Sequence, residues 1–66
     1  MKALRDIDRM PFGKHKGELM QDVPPSYLHW LWTNGLKGEV KTNPVADYID
    51  RNLVALKKEY PDGIWS

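Results

Sequence analysis

Met10-Pro11-Phe12-Gly13-Lys14-His15-Lys16-Gly17 sets two lysines and a histidine between two glycines, directly after an apolar Met-Pro-Phe run. Glycine lets a backbone turn through positive φ and lets another group approach closely. Pro11 removes a backbone donor and biases Met10 toward extended geometry. The segment Arg9–Phe12 therefore reads as a short strand, and Gly13 to Gly17 as the turn that follows. Glu18 to Gln21 can return as a second strand with Leu19 or Met20 facing inward. This is the pattern of a β-hairpin with a loop of several residues. A two-stranded hairpin is marginal alone and must pack on something.

The rest of the chain supplies helices for it to pack on. Asp22-Val23-Pro24-Pro25-Ser26-Tyr27 reads as a helix start, with Asp22 as cap and the prolines in the first turn. Leu28, Leu31 and Trp32 share one face, and Tyr27, Trp30 and Leu31 form an overlapping stripe. Asn34-Gly35 is a stop signal, with Gly35 suited to a left-handed position. Leu36 to Asn43 reads as a polar connector. Thr42 or Asn43 can cap a second helix opened by Pro44. Val45, Ile49, Leu53, Leu56 and Tyr60 then recur at helical spacing over about four turns. Asp47 near its start and Lys57-Lys58 near its end suit the helix dipole. Pro61-Asp62-Gly63 ends it, and Ile64-Trp65 is expected to fold back. Residues 1–8 read as a flexible lead-in or a short helical turn around Ala3, Leu4 and Ile7. The predicted architecture is α+β: a short N-terminal β-hairpin packed against two α-helices, as one domain over residues 1–66.

Sixty-six residues support only a small core, because a chain of this size buries only about 60% of its unfolded surface. There is no cysteine to add a disulfide or a thiolate site, and three tryptophans carry much of the apolar mass. The net charge of +1 is far from that of a chain that coats nucleic acid non-specifically. The charge is uneven, however: Lys2, Arg5, Arg9, Lys14 and Lys16 face only Asp6, Asp8 and Glu18 in the first twenty residues. No apolar run is long enough for a membrane span, and the N-terminus lacks a signal-peptide core. The sequence therefore predicts a cytoplasmic protein, read from its initiator Met as a complete short frame.

Few residues carry chemistry. Between Gly13 and Gly17, backbone N–H groups with Lys14, Lys16 and His15 can contact an anion, with Arg9 alongside. The competing reading is an ordinary turn with solvated lysines. A phosphate-cradling P-loop is excluded, since Glu18 follows Gly17 where that motif requires Lys and Ser or Thr. His15 and His29 have no third ligand at metal-site spacing. Ser26 and Ser66 lie in no nucleophile setting, and Asp47, Asp50 and Glu59 sit on the polar side of the second helix. No catalysis, metal or cofactor is expected. In the cluster Tyr27 to Trp32, the large apolar groups beyond Tyr27 cannot all be buried in so thin a domain, and of Trp30 and Trp32 the latter is the one expected to stay partly exposed. Exposed aromatics beside basic groups suit base stacking or a protein interface.

Met10 to Gly17, then Asp22-Val23-Pro24, then Tyr27-Leu28-His29-Trp30-Leu31 resemble a small-domain family with the pattern M-P-F-G-K-Y-K-G, a spacer, D-[LIV]-P and Y-L-x-W-[LF]. It is the putative quorum-sensing-regulated virulence factor family of small bacterial and phage proteins. A similar module stands at the C-terminus of exodeoxyribonuclease X-like enzymes. The resemblance covers residues 10–31, about a third of the chain. It implies an accessory role near nucleic acid, with the nuclease carboxylates in the other domain of those enzymes. His15 departs from the family's usual aromatic, and a histidine there is titratable. The expected function is a small non-catalytic module that associates with DNA or RNA, or with an enzyme that processes them, through the basic loop. The alternative is a regulatory module that docks on a protein partner through exposed aromatics.

Overall fold

A computed structural model describes residues 3–65; Lys2 and Ser66, both named above, lie outside the described residues. The fold is helical and not α+β. Among the described residues there are three α-helices, α1 (Pro25–Thr33), α2 (Pro44–Arg51) and α3 (Leu53–Glu59), with 3₁₀ turns at Met20–Asp22 and Leu36–Glu39. The expected hairpin reduces to one isolated antiparallel bridge between Arg9 and Leu19. Met10 N–H donates to the Glu18 carbonyl (2.8 Å) and Met20 N–H to the Asp8 carbonyl (2.8 Å). Pairing cannot extend past these bonds. Pro11 has no N–H to give on one side, and on the other the chain coils at once into the Met20–Asp22 turn, where Asp22 N–H bonds the Leu19 carbonyl at 2.8 Å. The bridge still matters, because it closes the glycine-bracketed loop at its base.

Helix α1 opens at Pro25, whose missing N–H costs nothing at the first helical position. Tyr27 and Leu28 N–H groups both bond the Pro24 carbonyl, at 3.0 and 3.2 Å. Asp22 is therefore not the cap; it belongs to the preceding 3₁₀ turn. Leu28, Leu31 and Trp32 are buried. The helix stops at Asn34, which bonds the Trp30 carbonyl through both its backbone N–H (3.0 Å) and its side-chain amide (2.7 Å). Gly35 follows at φ +134°, a value that favours glycine. The connector is less polar in its packing than in its composition: Leu36 and Val40 rest against the core.

Asn43 caps α2 by accepting from Val45 N–H at 2.9 Å. The single long second helix of the sequence reading is two helices joined at Asn52. There the backbone leaves helical geometry (φ −110°, ψ 12°). The Asn52 side-chain amide donates to the Tyr48 carbonyl at 2.8 Å, a local bond of the kind that competes with the helical ladder. The apolar stripe survives the break: Val45, Ile49 and Leu56 are buried, with Leu53 and Tyr60 packed against them. Met10, Met20, Val23 and Trp65 complete the core around α1 and α2.

Both ends of the described chain are tied down. Arg51 donates to the Leu4 carbonyl at 2.6 Å and pairs with Asp47 at 2.8 Å. The Tyr48 hydroxyl donates to the Asp6 carboxylate at 2.7 Å. At the other end, the tail folds back as expected, but only Trp65 is buried and Ile64 faces solvent. His29 Nε2 bonds the Ile64 carbonyl (2.9 Å), and the Trp32 indole N–H bonds the Trp65 carbonyl (2.6 Å). Among the described residues, no helix is long and apolar enough to cross a membrane.

Burial raises the pKa of Tyr48 well above its ordinary value, and the bond to Asp6 and its negative charge add to this against the opposing Arg51 guanidinium. The unfolded chain ionises this phenol near pH 10, while the folded chain holds it protonated. Its stabilisation is thus complete below that pH and is lost as pH rises beyond it, by up to about 1.4 kcal/mol per pH unit. In urea denaturation between about pH 9 and 11, wild-type stability should fall more steeply than that of Tyr48→Phe. Parallel curves would show that Tyr48 is not the group responsible.

Candidate functional site

The loop between the two halves of the bridge is built from two overlapping turns. Gly13 and Gly17 lie at φ +81° and +90°, where a side chain would be strained. Lys16 N–H bonds the Gly13 carbonyl (3.1 Å), and Glu18 N–H bonds the His15 carbonyl (3.1 Å). Gly17 N–H returns to the Met10 carbonyl at 2.9 Å, so the loop closes on a residue that is itself buried. Arg9 spans the mouth, its guanidinium donating to the Gly17 carbonyl at 2.8 Å. Arg9, expected as an anion contact, thus also serves as a strut.

Helix α1 holds the loop through Tyr27. The Tyr27 hydroxyl accepts from Lys14 N–H at 3.1 Å. A Cβ on Gly13 would stand 2.4 Å from that hydroxyl, so glycine is required here by space as well as by φ. His15 packs edge-on to Tyr27, with ring centroids 4.6 Å apart. Its Nδ1 lies 2.6 Å from the Glu18 carboxylate, and an ionised carboxylate only accepts, so Nδ1 carries the proton of this bond. His15 therefore braces the loop instead of presenting a free cation. Glu18 is the functional neighbour that sequence reading missed. Its signal was there, in a histidine and a glutamate three residues apart across a turn.

Lys14 and Lys16 are exposed. Neither has an ion-pair partner among the described residues. Beside Lys14 stands Trp30, 56% exposed, its ring tilted 13° from that of Tyr27 with centroids 6.1 Å apart. Lys14, Tyr27 and Trp30 line one open depression. Trp32, expected to be the exposed indole, is only 3% exposed. It belongs with Leu28 and Leu31 on the inward face of α1, and its N–H is used by the tail. Trp30, two residues earlier, turns with Tyr27 toward the loop. The structure thus brings together Arg9, Gly13, Lys14, His15, Lys16, Gly17, Tyr27 and Trp30, and removes Trp32 to the core. The assembled chemistry is cationic and aromatic: two ammonium groups and a flat apolar ring on a braced frame.

A family model described as putative quorum-sensing-regulated virulence factor matches residues 2–42. The match takes in the loop and α1 and ends just before α2. No curated protein and no solved structure matches the chain.

Proposed function

We propose, from the premise that this chain belongs to the family of putative quorum-sensing-regulated virulence factors, that it is a small non-catalytic module associating with nucleic acid through its glycine-bracketed loop. The observation that carries the reading is Lys14 and an exposed Trp30 lining one depression, with Lys16 exposed on the same loop, while the nearest acid of the loop, Glu18, is engaged by His15. Ammonium groups suit phosphate oxygens, and an exposed indole suits a base. The resemblance of residues 10–31 to the module at the C-terminus of exodeoxyribonuclease X-like enzymes favours the same setting in the cytoplasm. Both imidazoles are committed to the frame, His15 to Glu18 and His29 to the Ile64 carbonyl, which favours a binding module over an enzyme.

Fluorescence anisotropy against labelled single- and double-stranded DNA and RNA at about 50 mM salt tests this, since phosphate contacts are strongest at low salt. Lys14→Ala and Lys16→Ala should each weaken binding and flatten its log–log salt dependence by about 0.7–0.9. No binding to any of the four probes would overturn the reading. A second reading, docking on a protein partner through Trp30, is favoured by the net charge of +1. It predicts capture of one defined protein that nuclease treatment does not release.

A further inference from the structure

We infer that the Lys14–Tyr27–Trp30 depression takes one unpaired base, so that the partner is a single strand and not a duplex. This rests on the nucleic-acid reading above and adds to it the form of the partner. Three observations carry it.

The first is that the two aromatics are not equivalent. Tyr27 is already occupied: its hydroxyl holds Lys14 N–H, and the His15 ring packs against it. Trp30 pairs with the Tyr27 ring, centroids 6.1 Å apart and nearly parallel, and more than half of its surface is open. That open surface is what the indole offers to a base. The second is the position of Lys14, which lines the same depression. A base lying on Trp30 would bring its own phosphate toward Lys14, so one nucleotide can satisfy both chemistries. The third is the rigidity of the frame. The loop is closed by the bridge at its base, strutted by Arg9 and pinned to α1 by Tyr27, so little ordering is required on binding.

A paired base keeps both faces against its neighbours in the stack. Reaching Trp30 from a duplex requires unstacking, which opposes binding, whereas a single strand offers its faces freely. With one platform and two lysines, the site is small, and its preference is for strand form and not for sequence.

The test uses the full chain, a labelled oligo(dT) of about 12 nucleotides and a duplex of about 24 base pairs, at low salt, with anisotropy and intrinsic tryptophan emission read together. Oligo(dT) should bind at least about tenfold more tightly than the duplex and quench the emission of the exposed indole. Trp30→Ala should weaken oligo(dT) binding roughly 5- to 150-fold and affect it more than duplex binding. The quenching is read on the unmodified chain, so the result does not depend on how the variant folds. Equal affinity for both probes, or tight oligo(dT) binding without quenching, overturns the single-base site and leaves nucleic-acid association standing. Binding to neither probe overturns both.

Discussion

Trp32→Ala is expected to destabilise the fold by about 3–5 kcal/mol, which is the range for removing a buried tryptophan. A chain of this length has about 3–10 kcal/mol of stability in total, so the variant should be largely unfolded at room temperature or close to it. Two losses combine. The ring leaves a cavity between α1 and the core, and the Trp65 carbonyl loses the indole N–H that holds it at 2.6 Å. Trp32→Phe separates them, because it keeps most of the ring and removes the bond. It should cost about 1–3 kcal/mol, the penalty for an unsatisfied buried acceptor. Urea denaturation followed by near-ultraviolet circular dichroism measures both variants. Stability of the alanine variant within about 1 kcal/mol of wild type would contradict the assignment of Trp32 to the core.

The second large effect is expected at Gly13. An alanine there must hold φ near +81°, which costs about 1–2 kcal/mol for an L-residue. Its Cβ would also stand 2.4 Å from the Tyr27 hydroxyl. Tyr27 must then move, and its bond from Lys14 N–H is lost. The sum is about 2–3 kcal/mol. A double-mutant cycle with Tyr27→Phe divides it. Without the hydroxyl, the nearest remaining atom is Tyr27 Cζ at 3.6 Å, an ordinary contact. The backbone strain should persist in the double variant while the steric part disappears, giving a coupling of about 1 kcal/mol. Strict additivity would show that the loop does not press on Tyr27. Under the proposed nucleic-acid reading, the same variant should also bind the DNA and RNA probes more weakly, because the lysines would no longer leave a fixed base.

What could be read from the sequence follows how local each determinant is. Gly13, Gly17, Pro25, Gly35, Asn43 and Pro44 act through backbone geometry within a few residues, and the turn, both main helix starts and the first helix stop were legible from them. The stripe from Val45 to Tyr60 was legible too, but its interruption at Asn52 was not. Nothing in the apolar spacing distinguishes a continuous helix from one that breaks on its polar side. The hairpin failed because Arg9–Met10 and Glu18–Leu19 do pair, as the pattern requires, but over too short a length to make a sheet. Trp30 and Trp32 were exchanged because α1 is apolar on two adjoining faces. Which face turns inward is settled by a carbonyl 33 residues away, at Trp65. His15 and Arg9 were assigned to an anion by charge alone. Both also brace the loop, His15 through Glu18 and Arg9 through the Gly17 carbonyl, which charge alone does not reveal.

The ties at the two ends have a consequence for how the chain assembles. The segment before the loop is laced to α2 through Asp6–Tyr48 and Leu4–Arg51, contacts 42 and 47 residues apart. The tail is laced to α1 through His29–Ile64 and Trp32–Trp65, 35 and 33 residues apart. Each half of the molecule therefore fastens the far end of the other. Helical domains generally assemble from contacts close in sequence and do so quickly. Here the last contacts require closing long loops, at an entropic cost on the order of 3 kcal/mol each. The segment before the loop is also held within its own half, by Gln21 N–H on the Asp6 carbonyl at 3.1 Å, but its ties to α2 and those of the tail to α1 form only once both halves have met. The frame that presents Lys14 and Trp30 does not wait for that closure, since its braces all lie between Arg9 and Trp30.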